Sequence, residues 1–182
     1  QPQGPNTLLY KSTDQGATWT KLEGKGLPKM FGRTCLAVAN TTGGQRVYLI
    51  GQFGLYRSDD GGANWQKMAE DDRRIANGQG DYTSGVYIDP KNPDIVYTLA
   101  TCAYRSLDGG KTFAAWKGAP GGDDPQQLWI DPTDGNRILY GGDQGATVSL
   151  DAGGNWGSWY NQPTAQVYNI AIDGQWPYWV YA

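Results

Sequence analysis

The chain has 182 residues, a formal net charge of −3, 27 glycines, 8 tryptophans and 12 tyrosines, a profile that suits many short strands joined by tight turns in one domain. It has no histidine, which excludes Ser-His-Asp and Cys-His catalysis and histidine metal sites within the chain. No basic stripe is present, so nucleic acid is not an expected partner, and no 18-residue apolar run offers a membrane span.

In chain order, the first expected strand lies around 7–11. It leads into Ser12-Thr-Asp14-Gln-Gly16-Ala-Thr18-Trp19. Strand text follows at Leu36-Ala-Val-Ala-Asn40 and Val47-Tyr-Leu-Ile50, and then the pattern returns as Ser58-Asp-Asp60-Gly-Gly62-Ala-Asn64-Trp65. A polar loop over 69–84 precedes strands expected at 85–89, 95–100, 103–107 and 112–117. The last two flank Ser106-Leu-Asp108-Gly-Gly110-Lys-Thr112-Phe113. Strands at Leu128-Trp-Ile-Asp131 and Arg137-Ile-Leu-Tyr140 come next. The fourth copy is Ser149-Leu-Asp151-Ala-Gly153-Gly-Asn155-Trp156, and a last strand pair is expected at Ile170-Ala-Ile-Asp173 and Tyr178-Trp-Val-Tyr181.

The serines of the four copies are spaced by 46, 48 and 43 residues, a near-constant period that marks a propeller or solenoid. Each residue type in the copy has a physical role. The Asp carboxylate accepts backbone N–H groups of the turn it opens, and Ser does so more weakly. Gly supplies a positive φ. The terminal Trp or Phe starts the next strand and packs between sheets. The expected fold is therefore all-β, a β-propeller of four-stranded antiparallel blades. Approximate blades fall at 1–28, 33–69, 84–118, 127–160 and 167–182. They form either an arc of a larger propeller, the favoured arrangement, or a four-bladed ring in which the two terminal strand pairs make one composite blade. An arc implies a partner, whether the remainder of a larger propeller or another chain. Cys35 and Cys102 read as two small buried hydrophobes.

The four copies resemble the Asp-box, or bacterial-neuraminidase, repeats of sialidases, xyloglucanases and sortilin-type receptors. Leu128-Trp-Ile-Asp-Pro132, Gly141-Gly-Asp-Gln-Gly-Ala146 and Tyr160-Asn-Gln-Pro-Thr-Ala-Gln166 resemble large secreted bacterial proteins of sortilin-like or glycosyl-hydrolase-like type. The resemblance implies a secreted or periplasmic location. It also implies a module that binds glycan or protein, or alternatively part of a xyloglucanase-like glycoside hydrolase. Relatives of this type carry histidines just before Leu-Trp-Ile-Asp-Pro; here Gly121-Gly-Asp-Asp-Pro-Gln-Gln127 stands there, so no role of such histidines carries over.

Alternating strands divide the turns between two faces. The boxes lie on one face, where Ser12, Asp14, Gly16, Trp19 and their counterparts are structural. The opposite face carries the ligand candidates: Asp71, Asp72, Arg73, Arg74, Asp81 and Tyr82 in the longest loop, and Asp123, Asp124, Gln126 and Gln127 in the next. Asp143, in a turn similar to the Asp-x-Gly-Gly turn of xyloglucanases, is the catalytic candidate. Ala146 replaces the second glycine of that turn, and the second carboxylate that glycosidic cleavage needs is not evident beside it. No metal site and no cofactor are expected.

Overall fold

The computed structural model describes residues 8–29, 32–76, 85–119, 122–159 and 169–181. Apart from two short 3-10 turns, Asn40–Thr42 and Arg73–Ala76, its regular structure is entirely β. The first sheet pairs β1 (Leu9–Lys11) with β2 (Thr20–Leu22). The second is a four-stranded antiparallel meander of β3 (Thr34–Val38), β4 (Val47–Gly51), β5 (Gly54–Ser58) and β6 (Gln66–Met68). The third repeats it with β7 (Gly85–Ile88), β8 (Val96–Leu99), β9 (Ala103–Ser106) and β10 (Ala114–Lys117). The fourth has three strands, β11 (Pro125–Ile130), β12 (Ile138–Gly142) and β13 (Gly145–Ser149). A short hairpin, β14 (Ala171–Ile172) with β15 (Val180–Tyr181), makes the fifth.

Side chains of a strand alternate between its two faces, and here both faces of the inner strands are covered. All four residues of β8, Val-Tyr-Thr-Leu, are buried, as are four of the five in β4. The core is consequently a series of apolar layers between sheets. Leu49, Tyr56 and Trp65 pack with Leu9 and Leu27 between the first and second sheets. Tyr48, Ile50, Leu55 and Met68 meet Val86, Val96, Tyr104 and Phe113 between the second and third. Tyr97 and Leu99 meet Leu128, Ile138 and Tyr140 between the third and fourth. Cys35 and Cys102 are both free thiols; Cys102 is buried within the layer between the second and third sheets, and Cys35 packs against it.

Two details differ from the sequence reading. Directly after the fourth box, over residues 157–159, the chain adds no fourth strand to the β11–β13 sheet. It is held beside β13 by Gly157 N–H donating to the Val148 carbonyl (2.9 Å) and by the Thr147 hydroxyl donating to the Gly157 carbonyl (2.7 Å). Glycines at 153, 154 and 157 weaken a strand there, because each loses backbone entropy and adds no side chain to pack. Also, among the described residues β1–β2 and β14–β15 are separate two-stranded sheets, so the composite blade of the alternative four-bladed ring, as opposed to the favoured arc, is not formed there.

Candidate functional site

The four boxes share one hydrogen-bond pattern. In the third, the Ser106 hydroxyl donates to Asp108 Oδ1 (2.8 Å) and accepts from Gly110 N–H (2.8 Å). Asp108 accepts from the backbone N–H of Lys111 and Thr112 and from the Thr112 hydroxyl. The Ser–Asp bond, the Gly N–H to Ser bond and the Thr or Asn backbone N–H to Asp bond recur at Ser12/Asp14, Ser58/Asp60 and Ser149/Asp151, with the Thr18 hydroxyl or the Asn64 and Asn155 amides as the side-chain donors to the Asp. These donors hold the carboxylates ionised. Asp14 and Asp60 fall from 3.8 to about 2, chiefly through the Thr18 and Asn64 side chains respectively. At Asp108 partial burial opposes the shift, but the bonds from Thr112 and Ser106 outweigh it and the value is again about 2. Asp151 is lowered too, first by the Asn155 backbone N–H.

The boxes also join the sheets. The residue before each of the first three box serines is cationic, and each donates to a carbonyl in the next box: Lys11 to Gly61 (3.0 Å), Arg57 to Gly109 (2.9 Å) and Arg105 to Ala152 (3.0 Å). Before the fourth serine stands Val148. The second box glycine meets the preceding sheet as well: a Cβ on Gly153 (φ +85°) would fall 2.3 Å from the Trp116 ring. The aromatic that closes the box is buried at Trp65 and Phe113, and Trp156 packs against the layer between the third and fourth sheets. Trp19, which closes the first box, is 63% exposed.

On the opposite face, the loop after β6 is anchored by its own charges. Arg74 donates from Nε and Nη2 to the two Asp72 oxygens (both 2.7 Å) and from Nη2 to the Phe113 carbonyl (3.0 Å), and its guanidinium lies 5.2 Å from the Tyr104 ring centre. The Arg74 bonds draw the Asp72 carboxyl below its ordinary range. Both residues are thus engaged in holding the loop, together with buried Ile75. Asp71 and Arg73 are exposed, and Asp81 and Tyr82 lie outside the described residues.

The second loop and the β12–β13 turn come together. Asp123 and Asp124 N–H groups both donate to the Thr101 carbonyl (3.2 Å), tying the loop to the β8–β9 turn. Asp124 adopts φ +42°, a strained backbone for a residue other than glycine. Asp123 pairs with Lys117 (3.0 Å), whose ammonium lies 4.3 Å from the Trp159 ring centre and 5.3 and 5.5 Å from those of Tyr140 and Trp156. Burial, reinforced by the Asp123 charge, pushes the Tyr140 hydroxyl pKa up. The Gln126 amide donates to Asp143 Oδ1 (3.3 Å) and to the Asp124 carbonyl (3.4 Å). Gln127 points elsewhere and accepts from the Tyr87 hydroxyl (3.1 Å).

Asp124, Gln126 and Asp143 therefore form one polar patch, bounded by the Lys117–Asp123 pair. Gln126 and Asp143 are exposed and Asp124 is half-buried. Among the described residues neither Asp124 nor Asp143 has an ion-pair partner, and no cluster of three metal-ligating side chains occurs. Sequence reading missed Lys117, Thr101 and the Gln126–Asp143 bond. Arg57 and Arg105, which their places beside the boxes mark as structural, are clamps to the next box, and Lys11, which the sequence reading did not single out, does the same.

Residues 10–21 and 56–67 match the BNR/Asp-box repeat. No curated protein matches the chain. Among solved structures, an ancestral GH74 enzyme is similar with a TM-score of 0.60 and 16% identity, over 81% of this chain and 20% of that one. The GH74 xyloglucanase from Xanthomonas campestris is similar with a TM-score of 0.58 and 18% identity, over 90% of this chain and 28% of that one. A structure of YCF48 bound to D1 peptide is more distant, with a TM-score of 0.49 and 16% identity over 68% of this chain and 38% of that one. The chain spans less than a third of the length of either GH74 protein. It carries Asp-box repeats on a propeller fold like theirs, and the likeness extends to the fold alone.

Proposed function

We propose that the chain is a ligand-binding propeller module whose loop face holds a glycan at Asp124, Gln126 and Asp143. The observation that carries this reading is the Gln126–Asp143 hydrogen bond, which joins two loops into one exposed patch. A carboxylate accepts hydroxyl protons and a primary amide both donates and accepts, so the patch matches the alternating donors and acceptors of a sugar ring. A xyloglucanase of similar fold makes xyloglucan oligosaccharides the first ligands to try. Titration calorimetry with xyloglucan and β-glucan oligosaccharides tests the reading. Gln126→Ala and Asp143→Asn are each expected to weaken binding about tenfold, the worth of one hydrogen bond to a charged group. Absence of binding, or affinity unchanged in both variants, overturns it. A protein ligand on the same patch is the remaining form of the proposal, read by the same variants in a pulldown. We assign the module a secreted or periplasmic location on the same resemblance.

A second reading rests on the acidic neighbours that the fold brings to Asp143. Asp123 and Asp124 stand across the β11–β12 ladder from its turn, where Pro125 pairs with Gly142. That supplies further carboxylates at the site, as cleavage of a glycosidic bond requires. If this segment contributes one wall of a hydrolase cleft, the parent protein hydrolyses xyloglucan and Asp143→Asn abolishes the activity; unchanged turnover removes Asp143 from the mechanism.

A further inference from the structure

We propose that a cleft on the box face, between the third and fourth sheets, binds a small carboxylate, with Arg105 as its anchor. The strand register shows why the cleft exists. Tyr48 pairs with Arg57 and Tyr97 with Arg105, so Arg46 and Asp59 correspond to Ile95 and Leu107 one repeat later. Asp94 corresponds to Asn136, since their carbonyls accept from the N–H groups of Gly109 and Ala152 in the two boxes. Between the second and third sheets this place is filled by the chain's own charges. The Asp59 carboxylate accepts from Arg46 Nε (2.6 Å) and Arg57 Nε (3.0 Å), and Arg46 also pairs with Asp94. Between the third and fourth sheets Ile95 replaces the first guanidinium, and Leu107 and Asn136 replace the two carboxylates. There a cleft of about 310 Å³ opens, with Ile95, Tyr97 and Arg105 in its lining.

The charges of the cleft select its ligand. Arg105 donates from Nη1 to the Ala152 carbonyl as Arg57 does to Gly109, but among the described residues no carboxylate pairs with it. Lys91, also in the lining, is exposed and has no ion-pair partner among them either. The two acids of the lining are already engaged. Asp89 Oδ1 accepts from the N–H groups of Lys91 and Asn92, and its Oδ2 abuts Gly135, where a Cβ would fall 2.4 Å away. Asp134 accepts from Asn136 and from Arg137 Nε. Two cations are thus left without anionic partners, and Arg105 stands where its counterpart grips Asp59. A guanidinium takes a carboxylate through N–H donors in a fixed fork, and Ile95 and Tyr97 offer apolar surface to the rest of the ligand. The volume lies at the small end of ligand pockets, about 300–1,000 Å³, and suits a carboxylate on a single ring. This site is separate from the glycan patch, which lies on the opposite face.

Titration of the full chain with benzoate, followed by NMR at the arginine Nε–Hε resonances, tests this, with benzamide as the same ring without the charge. The Arg105 resonance, identified by its loss in Arg105→Met, is expected to shift saturably with benzoate and not with benzamide. Arg105→Met also deletes the clamp to Ala152, so a second variant carries the binding test. Leu107→Asp restores the carboxylate that Asp59 provides one repeat earlier, at a side chain 64% exposed in the native chain. It is expected to weaken benzoate binding at least about tenfold, the worth of a hydrogen bond to a charged group, by occupying Arg105 from within, while the unfolding midpoint does not fall. No shift at Arg105, an equal shift with benzamide, or benzoate affinity unchanged in Leu107→Asp overturns the proposal.

Discussion

At the scale of single residues, the box is a stapled turn whose worth depends on what surrounds it. Ser106 is buried, whereas Ser12 is half-buried and its partner Gly16 is exposed, although both serines make the same bonds to Asp and Gly. Removing the Ser106 hydroxyl strands the buried Gly110 N–H, whereas water reaches the corresponding group at Gly16. Ser106→Ala is expected to cost about 1–3 kcal/mol, the penalty for an unsatisfied buried donor, and Ser12→Ala well under about 1 kcal/mol. Urea denaturation of the two variants makes the comparison. Equal losses would mean that the staple acts locally, independent of the sheet behind it.

The ionised aspartates give the fold an acid dependence. Their folded pKa, about 2 at Asp14, Asp60 and Asp108, lies below the ordinary 3.8, so the unfolded chain takes up protons first as pH falls. Their stabilisation is complete above about pH 4 and drains away as pH falls through about 2. The unfolding midpoint, followed from pH 5 to pH 2, is expected to fall along that window, and less steeply in Asp108→Asn, which has no proton to take up there. A slope identical to that of the unaltered chain would show that Asp108 does not titrate as its bonds require.

The box was legible because all of its partners lie within four residues. The loop-face patch was not, because Gln126 and Asp143 lie 17 residues apart and meet only once β11 and β12 have paired in register. Asp72 and Arg74 show the converse. As charges in a long loop they resembled ligand groups, but three-dimensional context turns them into each other's partners and into an anchor on Phe113 and Tyr104.

At the scale of elements, strands were legible where apolar alternation and turn residues agree, as in β7 and β8. The segment after the fourth box carried the repeat's aromatic but also its extra glycines, and glycine prevailed over pattern. Joining of the sheets depends on bonds between residues about 50 positions apart, and Arg57 reaches the Gly109 carbonyl as well as Asp59. Arg57→Met keeps the apolar stem and deletes both bonds. It is expected to destabilise the fold by about 1.5–3 kcal/mol, the usual worth of a hydrogen bond to a charged group. Thermal unfolding reads the loss. A change within about 0.5 kcal/mol, the scatter of ordinary surface substitutions, would show that the Arg57 clamp adds little to the other contacts between the second and third sheets, the apolar layer and the Arg46–Asp94 and Tyr48–Pro93 contacts among them.

At the scale of the whole molecule, the core is laminar: each apolar layer is shared by two consecutive sheets and no more. Such architectures divide their stability into units and nearest-neighbour interfaces. The period and the box made this arrangement readable from sequence, since a repeat that exposes apolar residues on both faces must stack. Blade number and closure depend on contacts among the end sheets, and no local motif records those.

The cation-to-carbonyl clamp runs in one direction only, from each strand toward the box that follows in the chain. Its acceptor is a main-chain oxygen at the third position after the serine–aspartate corner's start, and that oxygen is offered by glycine at 61 and 109 and by alanine at 152 alike. Any repeat beginning after a basic residue can therefore be followed by any other without redesign of the joint. Excision of one unit would bring Arg57 to the Ala152 oxygen in place of the Gly109 oxygen, and insertion would extend the series by the same coupling, so the ancestry of such a chain is open to gain and loss of whole units.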